Sequence, residues 1–227
     1  TERGRNVLNH AMDIHAGSSI CMGENNFLEK FYRAAPVGIT VEGSNTLTKN
    51  LIIFGQGINK SHPYIFPILD SILNEDVKRF QQNFNKMLGH CTRLYLSDLT
   101  SFSNNLENQT KTFANLSNFV ALLGGEIKRN QSLSGDMADL LSNLYMGYSV
   151  IWYHQNFNVS KVLTDYCVDR IVKENNLIIN RIIDNYPTKL KYLLLLSKQK
   201  QSSNNYENNR NLISEIQSNS KIMKSVK

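Results

Sequence analysis

Apolar side chains recur every three or four residues over most of this chain, and this pattern constrains its fold more than any other feature. Similar stripes run from Val77 to Tyr95, from Phe113 to Ile127 and from Leu163 to Val172. The cleanest stripe lies between them and consists of Met137, Leu140, Leu141, Leu144, Tyr145, Tyr148, Ile151 and Trp152. The competing strand signal is limited to the short β-branched run of residues 39–41. We therefore predict an all-α helical bundle with these stripes packed in its core.

Polar residues mark where the predicted helices begin and end. Asp76 lies in the expected first turn of one helix, and Ser160 can cap the start of another. That second helix is expected to stop before Pro187, because proline cannot continue a helix. A polar stretch near residues 130–135 is expected to separate two further helices. Val7, Leu8 and Met12 indicate a helix near the start of the sequence.

The C-terminal segment, residues 197–227, has a different composition, rich in Ser, Asn, Gln and Lys. We predict a flexible tail there, with at most one short helix. The chain has a net charge of +6, and residues 198–227 contain six basic and two acidic residues, so +4 of it lies in this segment. The rest is nearly neutral, which argues against a basic groove for nucleic acid. Contact with a membrane is expected to be peripheral at most.

The strongest candidate for catalytic chemistry is Glu42, which follows the β-branched run and directly precedes Gly43. Glycine permits a sharp turn and close approach of another molecule to the backbone. Ser44, Asn45 and Thr46 are cap-type residues ahead of a new helical pattern. Glu42 is therefore either a base at a loop-to-helix junction or an ordinary acid favoured near a helix N-terminus by the helix dipole.

Other kinds of site have little support in the sequence. The three cysteines, Cys21, Cys91 and Cys167, are widely spaced without a CxxC pair, which is typical of a reducing, cytoplasmic environment. The histidines show no spacing typical of a metal site. No apolar run approaches the length of a membrane span.

Several segments resemble the acyl-CoA dehydrogenases, and most closely the large bacterial fatty acyl-CoA dehydrogenases of the FadE type. Asp13-Ile-His-Ala-Gly17 is similar to the flavin-contacting Gln-x-x-Gly-Gly segment of the family. Arg33-Ala-Ala resembles its Arg-Asp-Ala, and Val41-Glu42-Gly43-Ser44 resembles its Tyr-Glu-Gly-Thr. The nine-residue step from Arg33 to Glu42 is also that of the family. Similarity to the C-terminal region of the FadE branch follows at Ser61-His62-Pro63-Tyr64, Leu140 to Tyr148 and Asn185-Tyr186-Pro187.

The resemblance implies a domain organisation and covers about residues 1–196. Residues 1–60 would form the end of the C-terminal helical domain of the dehydrogenase fold, and residues 61–196 a FadE-type helical extension. Residues 197–227 would be the basic polar tail. The N-terminal helical and β-barrel domains of the family have no counterpart in this sequence. We therefore expect the isolated 227 residues to be inactive.

The resemblance also implies a reaction, the α,β-dehydrogenation of fatty acyl-CoA to trans-2-enoyl-CoA in fatty-acid β-oxidation. Glu42 would remove the α proton, Gly43 would lie near the substrate, and FAD would accept the β hydrogen. An electron acceptor flavoprotein would reoxidise the flavin, and the enzyme would be a homo-oligomer because the flavin loop serves a neighbouring subunit. The residues matched to flavin contacts are Asp13, Ala16, Gly17, Ser44, Asn45 and Thr46.

Two departures from the family pattern keep alternatives open. Asp13 replaces a glutamine, and Ala16 replaces the first glycine of a pair whose backbone approaches the flavin nucleotide. The same segment can also be interpreted as a serine-rich turn that ends a helix. The main alternative function is a non-catalytic helical interaction module, a truncated or decayed dehydrogenase relic. A weaker alternative is a nucleic-acid binder that uses its basic tail.

Overall fold

The structure is a computed structural model that describes residues 1–41, 45–100, 103–157, 159–201 and 206–218. The described residues form helices and contain no β-strand, which confirms the all-α prediction. The α-helices are α1 (Glu2–His15), α2 (Gly17–Ile20), α3 (Glu29–Ala34), α4 (Asn45–Leu47), α5 (Gly57–Ser61), α6 (Ile65–Leu73), α7 (Val77–Leu99), α8 (Leu106–Ala121), α9 (Gln131–Phe157), α10 (Lys161–Asp184), α11 (Lys191–Leu194) and α12 (Tyr206–Ser218). Short 3₁₀ helices span Ala35–Ile39, Gly124–Lys128 and Leu195–Ser197, and a π-helix spans Thr48–Gln56.

The chain divides into two compact units, Thr1–Lys49 and Asn50–Lys227. In the first unit, α1 packs against α2, α3 and the 3₁₀ helix that follows α3. Among the described residues of this unit, Leu28 and Ser19 are the buried ones. The first unit therefore has very little hydrophobic core of its own.

The second unit is a bundle built on the long helices α7 to α10. The most extensive packing joins α9 to α10, and α8 contacts α7, α9 and α10. Helix α6 packs on α7, and α12 packs on α10. Because α8 contacts three of the long helices, its apolar side chains lie at the centre of the bundle.

The core of the second unit comes mainly from α8, α9 and α10. Its fully buried apolar side chains are Leu116, Val120, Met137, Leu140, Ile179, Ile182, Ile183 and Leu194. Gly147 lets the buried Leu106 side chain lie directly against α9, because a Cβ at position 147 would come within 2.7 Å of Leu106 Cδ1. The apolar stripes of α8, α9 and α10 thus meet in one continuous cluster.

Three of the long helices start at side chains that accept a hydrogen bond from the first turn. The Asp76 carboxylate accepts from the backbone N–H of Arg79 at 3.0 Å, at the start of α7. Asn105 does the same for Asn108 at 2.9 Å, and Ser160 for Leu163 at 3.5 Å. Such caps satisfy backbone donors that have no acceptor within the helix. Ser160 was predicted as a cap, and α10 ends before Pro187 as expected.

The short β-branched run forms no strand, because Ile39 belongs to a 3₁₀ helix and Thr40 and Val41 to a turn. The structure corrects two local predictions. The polar stretch near residues 130–135 does not separate two helices over its length, because α9 already begins at Gln131. The stripe of α9 is buried in its first half, yet Tyr145 and Trp152 in its second half are exposed.

None of the helices formed by the described residues is long and apolar enough to cross a membrane.

Candidate functional site

The predicted catalytic segment falls partly outside the structure. Glu42, Gly43 and Ser44 lie outside the described residues. The other residues matched to flavin contacts, Asp13, Ala16, Gly17, Asn45 and Thr46, are described and belong to the first unit. The geometry of the candidate site is therefore that of two short segments, residues 13–19 and 45–46.

Residues 13–19 form a sharp corner between α1 and α2. Ala16 has φ 46° and ψ −125°, and its N–H donates to the Met12 carbonyl at 2.9 Å. The Ser19 hydroxyl donates to the carbonyls of Met12 and Ala16, at 2.9 and 2.7 Å. Ser18 donates to the carbonyl of His15 at 2.7 Å. These bonds satisfy carbonyls at the C-terminus of α1, so the two serines close the helix, as the alternative interpretation of this segment predicted.

Asn26 holds this corner against the start of α3. Its side-chain amide donates to the Ser19 carbonyl at 2.6 Å and to the Cys21 carbonyl at 3.2 Å. Its oxygen accepts from the backbone N–H groups of Leu28 and Glu29, at 3.2 and 3.0 Å. One side chain therefore links the loop after α2 to the first turn of α3. Its role was not predicted, although Asn is a common residue at such turns.

The corner has an accessible backbone at the positions where the family pattern has its two glycines. An ideal Cβ built on Gly17 meets no heavy atom within 4 Å. Ala16 adopts a positive φ, which glycine reaches at much lower cost. Open space beside Gly17 leaves room for another molecule, while the Ala16 N–H is already bonded to the Met12 carbonyl. The Asp13 carboxylate is exposed on the last turns of α1 and adds a negative charge that a pyrophosphate does not favour.

Asn45 and Thr46 lie inside α4 rather than ahead of it. The Asn45 side-chain amide donates to the Thr1 hydroxyl at 2.6 Å. This bond ties residue 45 to the beginning of α1 within the first unit. The structure therefore brings Asn45 next to the start of the chain.

The second unit contains a buried carboxylate that was not predicted from the sequence. Asp98, near the end of α7, is 5% exposed. It accepts hydrogen bonds from Thr112 Oγ1 at 2.5 Å, Asn115 Nδ2 at 2.8 Å and Ser197 Oγ at 2.6 Å. Its position could have suggested burial, since it falls four residues after Leu94 on the apolar stripe of α7. Three donors satisfy the oxygens of one buried carboxylate, and the arrangement is suited to joining helices.

A second buried polar group joins α8 to α10. Gln109 Nε2 donates to the Val172 carbonyl and to Asn176 Oδ1, both at 2.8 Å. Asn175 Nδ2 donates back to Gln109 Oε1 at 2.8 Å. All three amides are at most 1% exposed, so their mutual bonds replace water and specify how the two helices align.

His62 caps the start of α6 with its imidazole ring. Its Nδ1 accepts from the backbone N–H groups of Tyr64 and Ile65, at 3.2 and 3.3 Å. Its Nε2 lies 2.9 Å from Asn118 Oδ1, so the proton is on Nε2 and is donated to that oxygen. The rings of His62 and His90 lie 6.1 Å apart, edge to face. Burial, and then the neighbouring His62 ring and the Arg93 guanidinium, lower the pKa of His90 below its ordinary value.

Metal and thiol chemistry have little geometric support. The described residues contain no group of three His, Cys, Asp or Glu side chains that could hold a metal ion. Cys21, Cys91 and Cys167 are free thiols. Burial raises the pKa of Cys91 and Cys167, which makes both less nucleophilic near neutral pH.

Comparison with known proteins identifies the family. The sequence matches the family described as acyl-CoA dehydrogenase, C-terminal, bacterial type, over residues 59–225. No solved structure matches the chain. The match includes the bundle of the second unit and also α12, and thus extends into the segment after residue 197. This chain belongs to the bacterial-type acyl-CoA dehydrogenase C-terminal family.

Proposed function

We propose that this chain forms the C-terminal part of an FAD-dependent acyl-CoA dehydrogenase that converts fatty acyl-CoA to trans-2-enoyl-CoA in fatty-acid β-oxidation. The family match over residues 59–225 is the observation that carries the proposal. The motifs at Arg33 and Glu42 support it, because they resemble those of the catalytic region of the family at the same nine-residue spacing. A homo-oligomeric enzyme, an electron acceptor flavoprotein and a cytoplasmic location belong to the same proposal.

In this proposal Glu42 is the base that removes the α proton of the acyl thioester. An α proton of a thioester is weakly acidic, so its removal needs stabilisation of the negative charge that develops on the carbonyl oxygen. The backbone N–H of Glu42 would supply one hydrogen bond to that oxygen. Gly43 would keep the space beside the oxygen free of side-chain atoms. Closure over an apolar acyl chain would exclude water and make the carboxylate a stronger base.

FAD would lie against Asp13, Ala16 and Gly17 and against residues 44–46. When bound, FAD supplies the oxidant that accepts the β hydrogen as hydride. The accessible backbone at Gly17 supports this assignment, since bulk at that position would keep the nucleotide away. Asp13 is the residue that fits least, and its carboxylate would have to face solvent or a hydroxyl group of the nucleotide.

The test is the Glu42→Gln variant of the complete, flavin-loaded gene product. Glutamine keeps the shape of the side chain but cannot accept the proton, so we expect kcat with a long-chain acyl-CoA to fall by about a hundredfold or more. The flavin absorbance should stay unchanged, because residue 42 does not hold the flavin. Glu24→Gln is the matched control, since Glu24 is exposed in the loop after α2, and it should keep full activity. Turnover by E42Q at the rate of the unchanged enzyme would refute the assignment.

A non-catalytic interaction module is the second candidate function. It is supported by the exposed apolar side chains of the first unit, among them Ile14, Ile20, Met22, Phe27 and Phe31. Such a surface suits packing against further protein. The two candidates differ in one measurement: the module predicts no flavin band and no bleaching with acyl-CoA in the complete gene product, whereas the dehydrogenase predicts both.

A further inference from the structure

Besides the exposed apolar side chains of the first unit, a second apolar surface lies in the turn after α10. We call it the leucine crest and define it as Leu190, Tyr192, Leu193, Leu195 and Leu196. All five side chains are exposed, Tyr192 to 64% and Leu196 to 69%. They surround a single buried residue, Leu194, on α11 and the 3₁₀ helix that follows it. The crest therefore presents apolar side chains on several sides of a short turn.

The segment that carries the crest is anchored to the bundle by one buried side chain and several hydrogen bonds. Leu194 is fully buried in the core, and the Tyr95 hydroxyl donates to the Leu193 carbonyl at 3.1 Å. Ser197 is anchored to the buried Asp98 at 2.6 Å. Asn180 bonds both backbone groups of Gln199: its amide donates to the carbonyl and its oxygen accepts from the N–H, each at 2.9 Å. These anchors hold the segment in place while its leucines stay exposed, although burying them would remove apolar area from water.

Lysines flank the crest on both sides. Lys189 precedes the crest and Lys191 lies within it, whereas Lys198 and Lys200 follow it. No acidic residue occurs between Asp184 and Glu207 in the sequence. Lys198 pairs with Asp184 at 2.5 Å, which neutralises one of the four charges. Three lysines thus remain to give the ends of the apolar crest a positive potential.

We propose that the leucine crest docks onto the surface of a lipid bilayer that contains anionic headgroups. The apolar side chains would enter the boundary between headgroups and acyl chains, and the flanking lysines would contact the phosphates. The charge pattern favours this occupant, because a lipid surface is negative around every insertion point whereas the crest is positive at both ends. This proposal goes beyond the catalytic function and concerns a different part of the chain.

Vesicle co-sedimentation of the 227-residue chain tests the proposal. We expect binding to vesicles made of equal parts phosphatidylcholine and phosphatidylglycerol, and much weaker binding to phosphatidylcholine alone. Added salt should weaken binding to the anionic vesicles, because it screens the lysines. Absence of any binding to the anionic vesicles would overturn the proposal.

A matched pair of variants distinguishes binding through the crest from nonspecific binding by other exposed apolar residues. Leu195→Ser/Leu196→Ser should lower the partition coefficient by about tenfold or more, since two apolar side chains no longer insert. Leu69→Ser/Leu73→Ser changes two exposed leucines of α6 and should leave binding unchanged. Circular dichroism checks that both variants keep their helices. An equal loss of binding in the two variants would contradict a role for the crest.

The lysines and a competing occupant are tested separately. Lys189→Gln/Lys191→Gln/Lys200→Gln should weaken binding to anionic vesicles by about fivefold per lysine and leave binding to phosphatidylcholine unchanged.

Analytical ultracentrifugation tests whether a second copy of the chain covers the crest. Self-association that L195S/L196S abolishes, without vesicle binding by the unchanged chain, would replace the lipid by a second copy and overturn the proposal.

Discussion

Ala16 has a backbone conformation that glycine adopts at lower cost. Its φ of 46° places Cβ close to the backbone, a strain of about 1–3 kcal/mol for a residue with a side chain. The hydrogen bonds of Ser19 and Asn26 around it keep the corner in place. In the family segment that residues 13–17 resemble, glycine stands at this position, so the strain falls at a departure from that pattern.

We predict that Ala16→Gly stabilises this corner by up to about 1 kcal/mol, because relief of strain exceeds the greater flexibility of glycine in the unfolded chain. Ala11→Gly, in the interior of α1, is the control and should lower the stability of α1 by about 1 kcal/mol. Hydrogen exchange of the backbone amides in α1 and α2 measures both effects. A loss of protection in A16G as large as in A11G would show that the corner is not strained.

The lowered pKa of His90 predicts that the stability of the protein depends on pH. Burial, and then the neighbouring His62 and Arg93 side chains, lower this pKa, so the folded protein binds a proton on His90 less readily than the unfolded chain does. The free energy of unfolding should therefore be unaffected well above pH 6.5 and fall as the pH decreases through this ordinary value. Urea denaturation across this range, compared between the unchanged protein and His90→Gln, measures the contribution. An identical decline in the two proteins would assign the pH dependence to other groups.

Residue identities alone revealed only part of the site. The turn-forming serines at the end of α1 were predictable because short hydroxyl side chains commonly satisfy helix ends. The positive φ of Ala16 was not, since alanine carries no signal for it. Asp98 was missed because its burial depends on donors that lie 14, 17 and 99 residues further along the chain. Glu42 and Gly43 remain a prediction, since they lie outside the described residues.

At the scale of helices, apolar periodicity predicted position better than orientation. It located α8 to α10 correctly, and their stripes supply most of the core. It could not show that Tyr145 and Trp152 face solvent, because periodicity gives the apolar face of a helix without saying how far a neighbouring helix covers it. It also could not predict the π-helix of Thr48–Gln56, which arises from i to i+5 bonding rather than from the 3.6-residue repeat.

The network around Asp98 joins three helical elements, so its loss should destabilise the bundle strongly. Asp98→Ala removes the acceptor of the buried Asn115 and Ser197 donors and the nearer of two acceptors of Thr112, so we expect a loss of about 3 kcal/mol or more in the free energy of unfolding. Thr112→Val removes one donor and keeps the carboxylate bonded to the other two, so it should cost about 1 kcal/mol. Urea denaturation measures both values. Equal effects of the two substitutions would contradict the central position of the carboxylate.

At the scale of the whole molecule, the two units differ in how much core they possess. The apolar cluster of buried residues lies entirely between Phe54 and Leu194, within the second unit. The first unit buries Leu28 among its described apolar residues and exposes large ones such as Ile14 and Met22. A short segment with so little buried apolar area does not offset the conformational entropy of folding.

We therefore predict that residues 50–227 fold on their own and that residues 1–49 do not. A protein of residues 50–227 should show native helical circular dichroism and a single cooperative thermal transition, because it retains the entire core of α8, α9 and α10. A peptide of residues 1–49 should show little helix in water, since isolated helices of this length are marginal without tertiary packing. A non-cooperative melt of residues 50–227 would mean that its core is insufficient. Stable helices in the 1–49 peptide would mean that local bonds such as those of Ser19 and Asn26 contribute far more than the buried area indicates.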